Sequence, residues 1–135
     1  AEITKLTEVI YKQRSLGATR LIGRAIDRMR LSEDGRMAQL YVLQSDYDEL
    51  GAVKSDCDEL INYAREIKTV EIAMFLRQVA QEKFKVSFRS KKYVDVSSLA
   101  VAFGGGGHKY AAGCTVDGNL EKVSRQIWEA AEKLL

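Results

Sequence analysis

Four consecutive glycines, Gly104 to Gly107, lead into His108, the one histidine of this 135-residue chain, and the run continues Lys109-Tyr110-Ala111-Ala112-Gly113. Glycine tolerates positive φ and leaves its main-chain N–H without a side chain in front of it. Successive N–H groups facing one way form a nest for an anion, here from Gly105, Gly106 and Gly107. His108 adds a titratable donor at the same place. The small Ala111-Ala112-Gly113 leaves room for close approach. This is chemistry for holding a phosphate or a carboxylate. A flexible linker is the competing reading, but linkers carry Ser, Pro or charge. Here Phe103 and Tyr110-Ala111-Ala112 flank the glycines.

A second set of polar groups lies upstream. Phe84, Val86 and Phe88 alternate with Lys85, Ser87 and Arg89. In a strand, residues two apart share a face, so Lys85, Ser87 and Arg89 project together while the apolar residues face a core. Arg89 suits a phosphate because its guanidinium is a planar fork of donors. Ser87 and Ser90 can add neutral hydrogen bonds. Lys83, Lys91 and Lys92 raise the local positive potential, chiefly as steering charges. Tyr93 and Tyr110 lie close enough in sequence to stack on a base, although aromatic residues more often pack in a core.

Hydrolysis of a phosphoester usually calls for a metal-activated water, and metal ligands are scarce here. Cys57 and Cys114 are far apart and form no Cys-x-x-Cys pair. They read as reduced, partly buried thiols of a cytoplasmic protein. The near repeat Ser45-Asp46-Tyr47-Asp48-Glu49-Leu50 and Ser55-Asp56-Cys57-Asp58-Glu59-Leu60 lacks the glycine and terminal Glu of a calcium loop. It reads as two helix starts, with Ser at each N-cap and negative charge in the first turn. The chain is expected to bind no metal itself.

The elements that must position these groups follow from periodicity. Glu2–Gln13 and Ser15–Ile26 read as helices, the second with Leu21, Ile22, Ala25 and Ile26 apolar. Residues 28–43 read as a hairpin around Glu33-Asp34-Gly35. The apolar stretch Val70–Leu76 suits a central strand buried on both faces, and Glu82-Lys83 turns the chain into the strand 84–90. Val96–Phe103 reads as a helix capped by Asp95 or Ser97, and Tyr110–Val116 as a strand. Asn119 caps a last helix whose buried stripe is Leu120, Val123, Ile127, Ala131 and Leu134. Together these predict an α/β (or α+β) domain with a mixed sheet of about five strands and packed helices.

Length and composition fit one domain with a proper core. No apolar run approaches the ~20 residues that a membrane helix needs. A net charge of +2 excludes a generic polyanion binder, so contact with nucleic acid should be local.

Gly105-Gly106-Gly107-His108-Lys109-Tyr110-Ala111-Ala112-Gly113 resembles the Gly-Gly-Gly-His-x-x-Ala-Ala-Gly hallmark of the domain associated with Asp-His-His (DHH) phosphoesterases. Lys85-Val86-Ser87-Phe88-Arg89-Ser90, then Asp95-Val96, is similar to the same domain in the nanoRNase / pAp-phosphatase branch, as are Leu60-Ile61-Asn62 and Ile67-Lys68. The resemblance covers residues 15–135. It implies that 1–14 is a helix leading from an N-terminal DHH domain, which carries Mn2+ or Mg2+ on its own Asp and His residues, and that 15–135 grips the substrate, a very short RNA or 3′-phosphoadenosine 5′-phosphate (pAp). Arg89, Ser87, Ser90 and Lys85 would hold phosphate, Gly105, Gly106 and Gly107 would line the pocket, and His108 would steady charge near the metals. The chain alone would be inactive. Cyclic-dinucleotide phosphodiesterases and RecJ-type exonucleases belong to the same superfamily. The former tend to carry an Asn after the His that is absent here. The C-terminal domain of alanyl-tRNA synthetase, a binding module without catalysis, has a similar glycine loop but generally lacks His108 and the Ser-x-Arg-Ser strand.

Overall fold

The computed structural model describes residues 13–135; apart from Gln13, the helix expected over Glu2–Gln13 lies outside the described residues. Helix α1 (Leu16–Asp27) starts where Ser15 accepts the Ala18 N–H at 3.0 Å. Strands β1 (Arg30–Leu31) and β2 (Met37–Val42) pair antiparallel around Gly35. Helix α2 (Gln44–Leu50), a 3₁₀ turn (Lys54–Cys57) and helix α3 (Leu60–Arg65) then cross over to β3 (Ile72–Ala80), which runs parallel to β2. A tight turn leads into β4 (Lys83–Ser90), followed by helix α4 (Val96–Ala102), strands β5 (Gly106–His108) and β6 (Ala111–Asp117), and helix α5 (Leu120–Glu132). The sheet order is β1-β2-β3-β4-β6-β5. The strand beyond the expected five is the glycine run itself, paired antiparallel with β6.

Both carboxylate repeats do start helical turns, but their serines do not cap them. The helical turns begin earlier than expected, with Leu43 and Val53 at the N-caps. The Asp46 carboxylate accepts the Leu43 N–H at 2.7 Å and Asp56 the Val53 N–H at 2.8 Å. An acid three residues into a helix can reach back to the cap N–H, and that contact leaves Ser45 and Ser55 inside the first turn. Asp95 and Asn119 cap as expected, accepting the N–H of Ser97 and of Lys122.

Two cores sandwich the sheet. On one face Ile72, Met74, Leu76, Phe84, Val86, Phe88, Cys114 and Val116 pack under α4 and α5. The buried stripe of α5 is Val123, Ile127, Trp128 and Ala131; Leu134 lies past the helix end and is exposed. On the other face Ala38, Leu40, Val42, Ala73 and Phe75 pack under α1 and α3. β3 contributes to both cores, so it is the doubly buried central strand that the stretch Val70–Leu76 predicts. The crossover helices cover β2 and β3, and α3 reaches the near edge of β4. The rest of the β4–β6–β5 half of that face is bare.

Candidate functional site

Register brings the site together on the bare half-face. Arg89 of β4 stands opposite Ala111 of β6, and Ala111 opposite His108 of β5. Directly opposed residues point to the same side, so Arg89 and His108 flank one small methyl, about 10 Å apart at their backbones given the spacing of adjacent strands. The next row is Ser87, Gly113 and Gly106, with no side chain between Ser87 and the sheet edge. Lys85 and Thr115 form the row after that. Lys85, Ser87 and Arg89 therefore share a face, while Phe84, Val86 and Phe88 are fully buried behind them.

Arg89 is half-buried and, among the described residues, pairs with no carboxylate. His108 is exposed at the last strand. As the sheet edge, β5 leaves one side of its backbone unpaired, which supplies main-chain donors beside the imidazole. The glycines divide the labour differently from a simple nest. Gly105 donates its N–H to Ala100 O at 2.8 Å, so that donor is used inside the fold. Its missing side chain matters instead, because a Cβ there would stand 2.1 Å from Gly113 O. Gly107 needs glycine twice over: its φ is +147°, and a Cβ would lie 2.5 Å from Ala112 Cα. Gly106 is open and can face a ligand.

Ser90 is not brought to this face. It sits one residue out of phase with Ser87 and Arg89, is buried, and donates to Val94 O at 2.6 Å and Lys109 O at 3.3 Å. It ties the end of β4 to the residue after His108. Lys91 is also committed, its ammonium donating to Ile67 O at 2.7 Å. Residues 91–94 form a nest that the protein fills itself: the buried Glu71 carboxylate accepts the N–H groups of Lys91, Lys92, Tyr93 and Val94 at 3.0–3.2 Å. Burial alone would raise the pKa of Glu71, but those four donors outweigh it and hold it below the ordinary range. Tyr93 accepts from Arg36 at 2.9 Å, and Tyr110 donates to Lys92 O at 3.1 Å; both rings stay exposed.

Two clefts open on the bare half-face. One, of about 390 Å³, is lined by Lys54, Ser55, Asp58, Arg77, Ser87 and Arg89 among others. The second, of about 450 Å³, runs past Arg77, Lys85, Ser87, Gly104, Gly105 and Thr115. Sequence reasoning missed Arg77, Lys54 and Ser55. No sequence signal would have found Arg77: counting back across the tight β3–β4 turn from Ala80–Lys83 puts it opposite Val86, and a register shift between Gln78 and Ala80 is what brings it opposite Lys85.

Among the described residues no three of His, Cys, Asp and Glu gather closely enough to hold a metal ion. Asp46, the most buried acid of the repeats, is taken by Arg24 at 3.0 Å and by the Arg28 fork at 2.6 and 2.8 Å. Burial pushes its pKa up, but the Arg28 fork, the Leu43 N–H and Arg24 together hold it low. Cys57 and Cys114 are buried free thiols, and burial pushes Cys114 up to about 11. They are inert packing groups.

The fold is thus a single α/β domain with a mixed six-stranded sheet, whose glycine edge strand carries His108 beside a basic face. The sequence matches the DHHA1 domain over residues 34–134, and the chain belongs to that family, the associated domain of DHH phosphoesterases. Among curated relatives, the bifunctional oligoribonuclease and PAP phosphatase NrnA of Thermus thermophilus is 28% identical over 117 residues, covering 86% of this chain and 34% of the relative. The Bacillus subtilis protein of the same description is 24% identical over 132 residues, covering 98% and 38%. Among solved structures, an exopolyphosphatase-related protein from Bacteroides fragilis superposes with a TM-score of 0.83 at 28% identity, over 92% of this chain and 36% of that one. The pGpG-specific phosphodiesterase PggH of Vibrio cholerae shares the fold, with a TM-score of 0.58 at 15% identity over 86% of this chain and 39% of that one. The chain thus spans little more than a third of the length of these relatives.

Proposed function

We propose that this domain grips the phosphate and nucleotide of a very short RNA, or of pAp, for a metal-dependent DHH phosphoesterase. An N-terminal DHH domain of the same polypeptide would supply the Mn2+ or Mg2+ and the hydrolytic water, for which no ligand set is gathered among the described residues. The observation that carries the reading is the cross-strand row Arg89–Ala111–His108 on the bare half of the sheet. Arg89 offers two parallel N–H donors to a phosphate. His108 donates from the opposite side of the row, where it can steady charge as it develops on that group. The roles are positioning and electrostatic stabilisation, not attack. By itself the chain should bind without turning substrate over.

The test is an NMR titration of the chain with a 5′-phosphorylated dinucleotide. Shifts should cluster at Ser87, Arg89, Gly106 and His108. Arg89→Ala should weaken binding by roughly 1.5–3 kcal/mol, the scale of a charged hydrogen bond, and Lys92→Ala by much less. Equal losses from the two would make the surface a diffuse basic patch and sink the reading.

A further inference from the structure

Arg77 is a half-buried cation that the proposed function leaves unused. It lies on the same face of β3 as Ala73 and Phe75 and stands directly opposite Lys85 of β4. Like charges directly opposed across two strands destabilise a sheet. Among the described residues Arg77 forms no ion pair, whereas the structural arginines Arg24 and Arg28 close on Asp46. Its neighbours do not neutralise it. Lys54 lines the same cleft, and the one carboxylate on that lining is the exposed Asp58. The Tyr47 hydroxyl and Cys57 thiol lie close by, and burial raises the pKa of both, so both stay uncharged. A guanidinium partly removed from water, facing a lysine and lacking an acid, is a site that an anion would relieve.

The position is specific. Arg77 and Ser87 line both clefts, so one groove runs from Gly104 and Gly105 past Ser87 to Lys54. Arg89 pairs with Ala73 and Lys85 with Arg77, so the two arginines are four residues apart along the strands, about 13 Å at the usual rise. One ribose-phosphate link cannot bridge that span; two in series can.

We propose that Arg77, with Lys54 and Lys85, forms a second anion subsite that takes a phosphate two backbone links from the one held at Arg89. The groove then measures length. A 5′-phosphorylated trinucleotide fills both subsites. A 5′-phosphorylated dinucleotide or pAp, whose phosphates are one link apart, fills only the first. The proposal rests on the reading of Arg89 as the first phosphate site.

Calorimetric titration of the chain and of its variants with pAp, the dinucleotide and the trinucleotide tests it. The wild-type chain should bind the trinucleotide most tightly. Arg77→Gln should weaken the trinucleotide about tenfold and the two shorter ligands less than about twofold, the loss expected when one charged hydrogen bond disappears. Arg77→Lys should recover part of the difference. Lys54→Gln, at an exposed position that cannot disturb folding, should show the same selectivity in weaker form. The thermal midpoint of Arg77→Gln should hold or rise, since a like-charge contact is removed. Equal losses on all three ligands, no loss on any, or a midpoint several degrees lower would overturn the second subsite. If Arg89→Ala binds all three ligands as the wild type does, or if the wild type binds none, the first-site reading itself fails and the subsite goes with it.

Discussion

At the scale of single residues, His108 and Arg89 differ in what surrounds them. Arg89 is half-buried between strands, whereas His108 stands exposed on the sheet edge, its imidazole without a hydrogen-bond partner among the described residues. Removing the imidazole should therefore leave the fold intact, with a stability change within about 0.5 kcal/mol, as for ordinary surface substitutions. In a full-length enzyme carrying both domains, His108→Ala should lower kcat and kcat/KM together by ~10²–10³-fold, the loss expected for one preorganised donor acting in the transition state. Steady-state kinetics beside a melting curve decides it. Near-normal turnover would make the histidine incidental, and a collapsed melting curve would make it structural. Ser90 shows the opposite case. Its residue type suits phosphate, but its register turns it inward, where its hydroxyl holds Val94 O and Lys109 O.

At the scale of elements, the β5–β6 pair presents the site, and its glycines hold it in place for separate reasons. Gly107 combines a φ of +147° with backbone approach too close for a Cβ, while a side chain at Gly106 would meet nothing within 4 Å. Gly107→Ala should therefore break the pairing of β5 with β6 and misplace His108. Gly106→Ala should keep the fold and interfere only with a ligand. Amide hydrogen exchange across Ala111–Gly113 separates the two: protection should fall in the first variant and persist in the second. Equal protection in both would show that β5 does not depend on that close approach. The same element explains the sheet's extra strand. A three-residue edge strand made of Gly-Gly-His carries no β-branched or apolar alternation, and the only strand signal it has comes from its partner β6.

At the scale of the whole molecule, two buried carboxylates tie distant segments together. Glu71 binds the 91–94 loop that follows the Arg89 strand, and Asp46 binds α1 to α2 through Arg24 and Arg28. Both pKa values are held below the ordinary range in the folded state. As pH falls, the unfolded chain takes up these protons first. The stabilisation is thus complete above the normal carboxylate pKa of about 4 and is lost as pH drops through the depressed folded values. Thermal midpoints measured from pH 7 to pH 2 should fall mainly below about pH 4. Glu71→Gln should cost about 1–3 kcal/mol at neutral pH, as hydrogen bonds to a buried charge are lost, and should flatten that acid limb. A variant as acid-sensitive as the wild type would remove Glu71 from the account.

Much of this protein is legible one element at a time. The alternation of Phe84, Val86 and Phe88 with Lys85, Ser87 and Arg89 dictates which groups share a face, because successive side chains of any strand point to opposite sides. The caps at Asp95 and Asn119, the turn at Gly35 and the Gly-Gly-Gly-His run that marks the family are equally local. Tertiary structure decided what local pattern cannot express. The crossover through α2 and α3 covers one half of a sheet face, reaches the near edge of β4 and leaves the rest bare, and only that asymmetry turns a basic strand into a groove. It also carried Arg77 from the end of an apolar run to a place opposite Lys85, and it spent Gly105 and Ser90 inside the fold. Hydrogen-bond capacity is written in a residue's type, but whether a ligand or the protein's own backbone uses it depends on which segments the fold brings within reach.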